Sequence, residues 1–320
     1  MASPAPDAGL PVHHSWIANR ETPGRGPLRE AVDPADGRPF ASFTVLDAAQ
    51  AGGAVAAAQA AFPAWSALPF AERGRLLLRL RDLILDQAED VARLIHREQG
   101  KPPAEAHAVE IFPSLEALRH LALHAEEMLR DDAAEGQSLL LAHKDSRIVY
   151  APLGPVLVIT PWNYPFGIAI TGIAAALAAG NTVVLKPAPA TTLVGLRIGA
   201  LARAAGFPDG VLSVVAVDDT VAAALTEDAR FAKIVFTGST ATGRRVMTAA
   251  ARNLTPVLLE LGGKDAAVVC RDADLDRAAC GIVWGAFVNA GQTCASVERV
   301  YVESEVAEAF VSRVLEETAR

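Results

Sequence analysis

From about Ala48 to Ala64, and again from Ala71 to Glu98, apolar residues recur at spacings of three and four. Leu77, Leu80, Leu83, Ile84 and Ala88 mark one face of the second stretch, so both stretches are predicted to be amphipathic helices. Gly100-Lys101-Pro102-Pro103 stops the second. A third helical region covers about Ala104 to Arg130, started or kinked by Pro113. Residues 1–40 are rich in Pro, Gly and Asp and read as loop with an edge strand. The polar segment 131–138 leads into Leu139–His143 and Ser146–Tyr150, a pattern that predicts a hairpin-like pair of strands.

From Pro155 the pattern changes. Short β-branched runs alternate with Ala-rich helical stretches: Val156–Ile159, Thr182–Leu185, Leu212–Val215, Lys233–Phe236 and Val257–Leu259. Strand, helix, strand in repetition predicts an α/β fold, a parallel sheet with helices on both faces. Such sheets bind ligands at the carboxyl ends of their strands. After Gly263 come a further strand, Ala266–Val269, and a helix around Cys280. A strand over Arg299–Val302 and a helix over Val306–Arg320 follow.

Composition narrows the class. At 320 residues the chain can form one to three domains, and 51% hydrophobic with 21% charged residues is globular. A net charge of -8 and a pI near 5.4 argue against nucleic acid or an anionic membrane as a partner. The apolar stretch 166–180 is short for a membrane span and predicts a buried core helix. The N-terminus has no basic start and no apolar core, so no signal peptide is expected. Three cysteines without a CxxC pair fit neither a disulfide framework nor a thiolate metal site; a reducing, cytoplasmic setting without a metal is expected.

Five places could carry chemistry. Phe287-Val288-Asn289-Ala290-Gly291-Gln292-Thr293-Cys294-Ala295-Ser296 sets one cysteine in a Gly- and Asn-punctuated turn after an apolar run. A thiol reacts when it is ionised and reachable, although a lone cysteine is as a rule a small buried filler. Gly238-Ser239-Thr240-Ala241-Thr242-Gly243 follows a predicted strand and opens a predicted helix, whose free amides suit a pyrophosphate. It is not GxGxxG, and by itself an ordinary turn with an N-cap is the favoured explanation.

Lys186, at the carboxyl end of a strand, could bond ribose hydroxyls or pair with a phosphate, or be an ordinary surface lysine. Asn163, between Trp162 and Tyr164, could donate to a developing oxyanion or simply make a turn. Glu260, in the apolar strand end Leu258-Leu259-Glu260-Leu261-Gly262-Gly263, is either paired, at the surface, or kept buried with a raised pKa as a general base.

In their order, Pro161-Trp162-Asn163-Tyr164-Pro165-Phe166, Phe236-Thr237-Gly238-Ser239-Thr240, Leu259-Glu260-Leu261-Gly262-Gly263-Lys264 and the cysteine turn closely resemble the aldehyde dehydrogenase family. The N-terminal part, including Asp33-Pro34-Ala35-Asp36-Gly37 and Glu98-Gln99-Gly100-Lys101-Pro102, is similar too. The resemblance implies that Cys294 is the nucleophile, that Asn163 and the Cys294 amide stabilise the oxyanion, and that Glu260 activates the hydrolytic water. It implies an NAD or NADP site at Ile159, Thr160, Pro161, Trp162, Lys186, Gly238, Ser239, Leu261 and Gly262. The CoA-acylating members generally lack a carboxylate at the position of Glu260, so its presence implies release of a free acid.

By the same resemblance, 1–133 with 153–262 is a Rossmann-like dinucleotide-binding domain and 134–152 an oligomerisation hairpin of a homo-dimer or tetramer. Residues 263–320 are the beginning of a second α/β, catalytic domain. There are departures. Pro189 stands where many NAD-preferring members carry a glutamate, which leaves NADP open; Ala241 replaces a common glutamate, and Gly172 a common lysine. Family members also run on by something like half again this length, so the resemblance implies a C-terminally truncated chain. Three readings follow: an aldehyde dehydrogenase seen in part, a non-catalytic remnant that at most binds dinucleotide, or one half of a split enzyme. The apolar segments around 166–171 and 287–293 suggest an aliphatic or aromatic small-molecule aldehyde.

Overall fold

A computed structural model describes residues 9–134 and 144–320. The chain forms two compact units. One comprises the residues up to Thr237 together with Arg244–Leu259; the other comprises Gly238–Gly243 and Glu260–Arg320.

The first unit opens with five short strands: β1 (Val12–His13), β2 (Ser15–Ile17), β3 (Arg20–Thr22), β4 (Leu28–Val32) and β5 (Pro39–Thr44). The stretch expected as loop with an edge strand therefore carries several short strands among its described residues. Prolines and glycines punctuate these strands without erasing them, because their partners are supplied from elsewhere. Strands β1, β5 and β4 make a three-stranded sheet, and β2 and β3 join the large sheet, Trp16 opposite Val214.

Helix α1 (Ala48–Ser66) starts at a capping box: the Gln50 amide donates to Asp47 Oδ1 at 2.8 Å, and the Asp47 amide to Gln50 Oε1 at 3.2 Å. The single helix expected over 71–98 is two, α2 (Phe70–Asp86) and α3 (Ala88–Gln99), broken at Gln87. The apolar spacing runs on through the break because both helices face the same core. Gly100, at φ 84°, ends α3 in the left-handed conformation that a glycine adopts without strain. The third helical region is α4 (Pro103–Ala106), a π-helical turn over His107–Ile111, and α5 (Phe112–Met128). Pro113 lies in the first turn of α5, where its missing N–H is tolerated.

Strand β6 (Asp132–Ala133) pairs antiparallel with β7 (Arg147–Ile148). The predicted strand Leu139–His143 lies outside the described residues.

The βαβ region follows the predicted alternation: β8 (Pro155–Ile159), α6 (Gly167–Ala178), β9 (Thr182–Lys186), α7 (Thr192–Ala205), β10 (Leu212–Val214), α8 (Asp219–Thr226), β11 (Lys233–Thr237), α9 (Thr240–Ala251) and β12 (Val257–Glu260). The sheet order is β12-β11-β8-β9-β10-β2-β3, parallel from β11 to β10 and antiparallel at β2 and β3. Chain order runs outward from β8 in one direction, then returns to its other side at β11. The topological switch point, where parallel sheets accept ligands, thus lies between the carboxyl ends of β8 and β11.

Every residue of β8 and β9 is buried. Helices α6 and α7 pack with α2, and α1 packs with α8 and against β8, β9 and β10. Leu77, Leu80, Ile84, Phe166, Ile170 and Ile173 are fully inside, each contributing about 1.5–3 kcal/mol of hydrophobic burial. One buried acid belongs to this core: Glu98 caps the start of α7, accepting from the Leu193 and Val194 amides at 2.8 and 2.7 Å. Burial raises its pKa to about 8, against the lowering effect of those two amides.

The second unit holds β13 (Asp265–Val269), α10 (Leu275–Phe287), β14 (Val297–Val302) and α11 (Ala307–Thr318), all near their predicted places. Strands β13 and β14 pair in parallel, and α10 packs on α11. Its core is small: Val269, Ala279 and Phe310 are buried, with Leu275, Ile282, Val302 and Val314 partly so.

Candidate active site

At the ligand end of the large sheet, Ile159 closes β8 and faces Lys186, which closes β9. The Thr160 amide donates to the Lys186 carbonyl at 3.1 Å, so the two strand ends are tied together. Thr160 is buried, yet its Oγ1 has no hydrogen-bond partner among the described residues. Lys186 is 7% exposed. Burial pulls its pKa below the ordinary lysine range, and the nearby charge of Asp219 opposes that. A buried hydroxyl without a partner beside a buried lysine, at the carboxyl end of a parallel sheet, fits the hydroxyl groups of a nucleotide. Pro161 is half-buried and Trp162 is 46% exposed. Pro189 is exposed in a 3₁₀ turn over Pro189–Thr191.

Asn163 is half-buried. Its backbone carbonyl accepts from Lys101 Nζ at 2.9 Å, and the Tyr164 ring lies 3.9 Å from that ammonium. Lys101 also pairs with Glu110 at 2.5 Å; both side chains are fully buried. Burial lowers the Lys101 pKa, and the Glu110 carboxylate works against that shift. Sequence reading missed this pair. The residues are nine apart across a helix break, and only the π-helical turn at His107–Ile111 turns Glu110 inward.

In the second unit, Gly238 donates its amide to the Glu260 carbonyl at 3.0 Å. Ser239 caps α9: its Oγ accepts from the Thr242 amide at 3.2 Å. Ser239 and Thr240 are exposed, so the opening amides of this helix face solvent, as an anion site requires. Leu261 is half-buried and Gly262 exposed, with open space where a Cβ would stand. The Glu260 side chain is exposed, which selects the surface alternative for the free side chain over the buried one. The alternation of β12 turns this residue outward, and the neighbouring leucines carry the apolar character.

Cys294 is exposed and free, so the buried-filler reading does not apply. Its turn is stapled on both sides. Asn289 is buried and donates from Nδ2 to the Gln292 carbonyl at 3.2 Å; Ser296 Oγ reaches the Gly285 and Ala286 carbonyls of α10 at 3.2 and 3.0 Å. Asn289, Ala290 and Gly291 all adopt positive φ, at 55°, 56° and 74°. Alanine pays about 1–2 kcal/mol for that conformation, and such strain gathers at functional sites. Gly263 meets the turn closely: a Cβ there would stand 3.1 Å from the Cys294 carbonyl oxygen. Asn289, Ser296 and Gly263 hold the cysteine turn; the sequence marks Asn289 only as punctuation of that turn and gives no sign that Ser296 and Gly263 support it. Among the described residues no group of His, Cys, Asp and Glu could hold a metal ion.

The profile described as "Aldehyde dehydrogenase family" matches residues 22–320. A 4,4'-diapolycopene aldehyde oxidase from Methylomonas sp is 39% identical over 285 residues, which are 89% of this chain and 54% of that protein. An NADP dependent enzyme of E. coli is similar in structure, with a TM-score of 0.91 at 35% identity over 97% of this chain and 64% of its own. PnpE in complex with nicotinamide adenine dinucleotide gives a TM-score of 0.89 at 37% identity, over 95% of this chain and 62% of its own. The chain thus spans between about half and two thirds of the length of these relatives.

Proposed function

The chain belongs to the aldehyde dehydrogenase family, and from that premise we propose that it oxidises a small-molecule aldehyde to a carboxylic acid through a thioester on Cys294. Its hydride acceptor is NAD or NADP. The observation that carries this reading is the exposed Cys294 in a strained turn, fastened on both sides by Asn289 and Ser296.

Each residue then has a task. The Cys294 thiolate attacks the carbonyl carbon, and the oxygen becomes an oxyanion. The Asn163 side chain and the Cys294 amide donate to it. The dinucleotide, when bound, supplies the acceptor for the hydride that leaves this carbon, and a thioester results. Glu260 takes a proton from the water that attacks the thioester, releasing the acid and the thiol. Thr160 and Lys186 hold ribose hydroxyls, Ile159, Pro161 and Trp162 line the same strand end, and the opening amides of α9 at Gly238 and Ser239 take the pyrophosphate. Leu261 and Gly262 offer backbone where the nicotinamide half approaches. The missing partner of Thr160 Oγ1 and the burial of Lys186 support the ribose part of this assignment. With Pro189 in place of a carboxylate, nothing at that position repels a 2′-phosphate, so the cofactor is NAD or NADP.

Residues 1–133 with 153–262 form the dinucleotide-binding domain, 134–152 an arm for a homo-dimer or tetramer, and 263–320 the start of the catalytic domain. Three free cysteines support a reducing, cytoplasmic location. Among the described residues no helix is long and apolar enough to cross a membrane.

The test is reduced-nicotinamide formation with an aliphatic or aromatic aldehyde and each dinucleotide. Cys294→Ala is expected to lower kcat by about 10⁴-fold or more while dinucleotide affinity stays unchanged. Dinucleotide binding without turnover in the unsubstituted protein would instead identify a binding remnant.

A further inference from the structure

The loop from Ile159 to Gly167 carries Trp162 and Asn163, and one buried ion pair holds it from beneath. Lys101 and Glu110 are both fully buried. Lys101 donates to Glu110 Oε1 at 2.5 Å and to the Asn163 carbonyl at 2.9 Å, and its ammonium lies 3.9 Å from the Tyr164 ring. Glu110 Oε2 accepts from the Phe166 amide at 2.8 Å and the Gly167 amide at 3.1 Å. Among the described residues, every side-chain hydrogen bond of the pair outside itself therefore falls on 163–167. The approach is close: a Cβ on Gly167 would stand 3.3 Å from the Glu110 Cα. The π-helical turn at His107–Ile111 is what brings Glu110 there.

Buried ion pairs are poor stabilisers, because two charges leave water to meet each other. A pair whose remaining bonds all land on one five-residue segment has geometry as its evident product. The loop is gripped on both sides of Tyr164, at the Asn163 carbonyl and at the first amides of α6, and Trp162 projects beyond that grip with 46% exposure.

We infer that Lys101 and Glu110 are positioning residues, which fix the backbone of Asn163 and thereby the aim of its side chain. The inference rests on the reading of Asn163 as the oxyanion donor. An oxyanion donor works by being held in place before charge develops, so a tether on its backbone acts on kcat and leaves dinucleotide affinity alone.

The experiment compares K101M/E110Q, Asn163→Ala and their combination in the full-length protein. K101M/E110Q removes both charges together and retains an acceptor for the Phe166 and Gly167 amides, so what it loses is the tether to Asn163. Hydrogen exchange over 160–165 is expected to quicken by about tenfold or more, with the amides of β9 unchanged. The kcat is expected to fall about 10- to 100-fold while the Kd for NAD moves less than about twofold. Added to Asn163→Ala, the pair substitution is expected to cost no further kcat, because its effect passes through the missing side chain.

Unchanged exchange over 160–165, or a full multiplicative loss in the combination, overturns the inference. An Asn163→Ala protein with undiminished kcat overturns the oxyanion reading instead, and exchange alone then decides whether the pair holds the loop. If K101M/E110Q does not fold, K101Q/E110Q, whose side chains can still bond each other, carries the same comparison.

Discussion

Strands β8 and β9 and strands β13 and β14 are both parallel pairs of similar length, and their burial is opposite. Every residue of β8 and β9 is inside. In β13 only Val269 is buried, and in β14 no residue is. Val268 is 70% exposed and Tyr301 55%. The ladders are alike, so pairing does not account for the difference. What differs is the number of layers. Parallel strands are stable when both faces are covered, and α1 and α6 both pack against β8 and β9. In the second unit, helices α10 and α11 form the small core with Val269 and Val302, while Val268 and Tyr301 turn away from it. Local pattern selects a strand; layers decide what the strand is worth.

The largest expected contrast is in local opening. Amides of β8 and β9 should exchange about 10³-fold more slowly than those of β13 and β14, as read by native-state hydrogen exchange. Equal protection in the two ladders would break the comparison, since burial would then not set local stability.

Substitution sharpens it next. Leu77, fully buried in the first unit, should cost about 2–5 kcal/mol as Leu77→Ala, through lost transfer energy and the cavity left behind. Leu315, 66% exposed in the second unit, should change stability by less than about 0.5 kcal/mol as Leu315→Ala. Denaturant midpoints of the two variants decide this directly.

A further contrast is a pH dependence confined to the first unit. The Glu98 carboxyl titrates near 8 when folded, against 4.5 as its ordinary value. Between those values the folded state holds a proton that the unfolded state has lost, so stability is full below about 4.5 and declines as pH rises to about 8. The melting temperature of the first unit should fall over that window and level off above it. Glu98→Gln should flatten this slope, and an undiminished slope in that variant would assign the pH dependence to another group.

The family was legible as motifs in order, and the candidate site residues with it. Cys294, Asn163, Glu260 and the turn at Gly238-Ser239 announce themselves by residue type and by the element that each ends or begins. Their supports did not. Lys101 reads as a lysine between a helix stop and a proline, Glu110 as one acid in a helical stretch, and Ser296 as a small residue after a turn. Each becomes a support only through partners distant in sequence or bonds that pattern does not encode.

The sequence by itself determined the alternation from Pro155 to Glu260, the helices α1, α7 and α10, and the punctuated cysteine turn. These depend on apolar periodicity, caps and glycine conformations that act within a few residues. The tertiary structure alone decided that β2 would join β10 across some two hundred residues, Trp16 opposite Val214. It alone broke α2 from α3 at Gln87, buried Glu98 and the Lys101–Glu110 pair, and turned Glu260 outward. The physical reason is common to all of these. Burial and pairing belong to the space between elements, and that space exists only after the chain has folded.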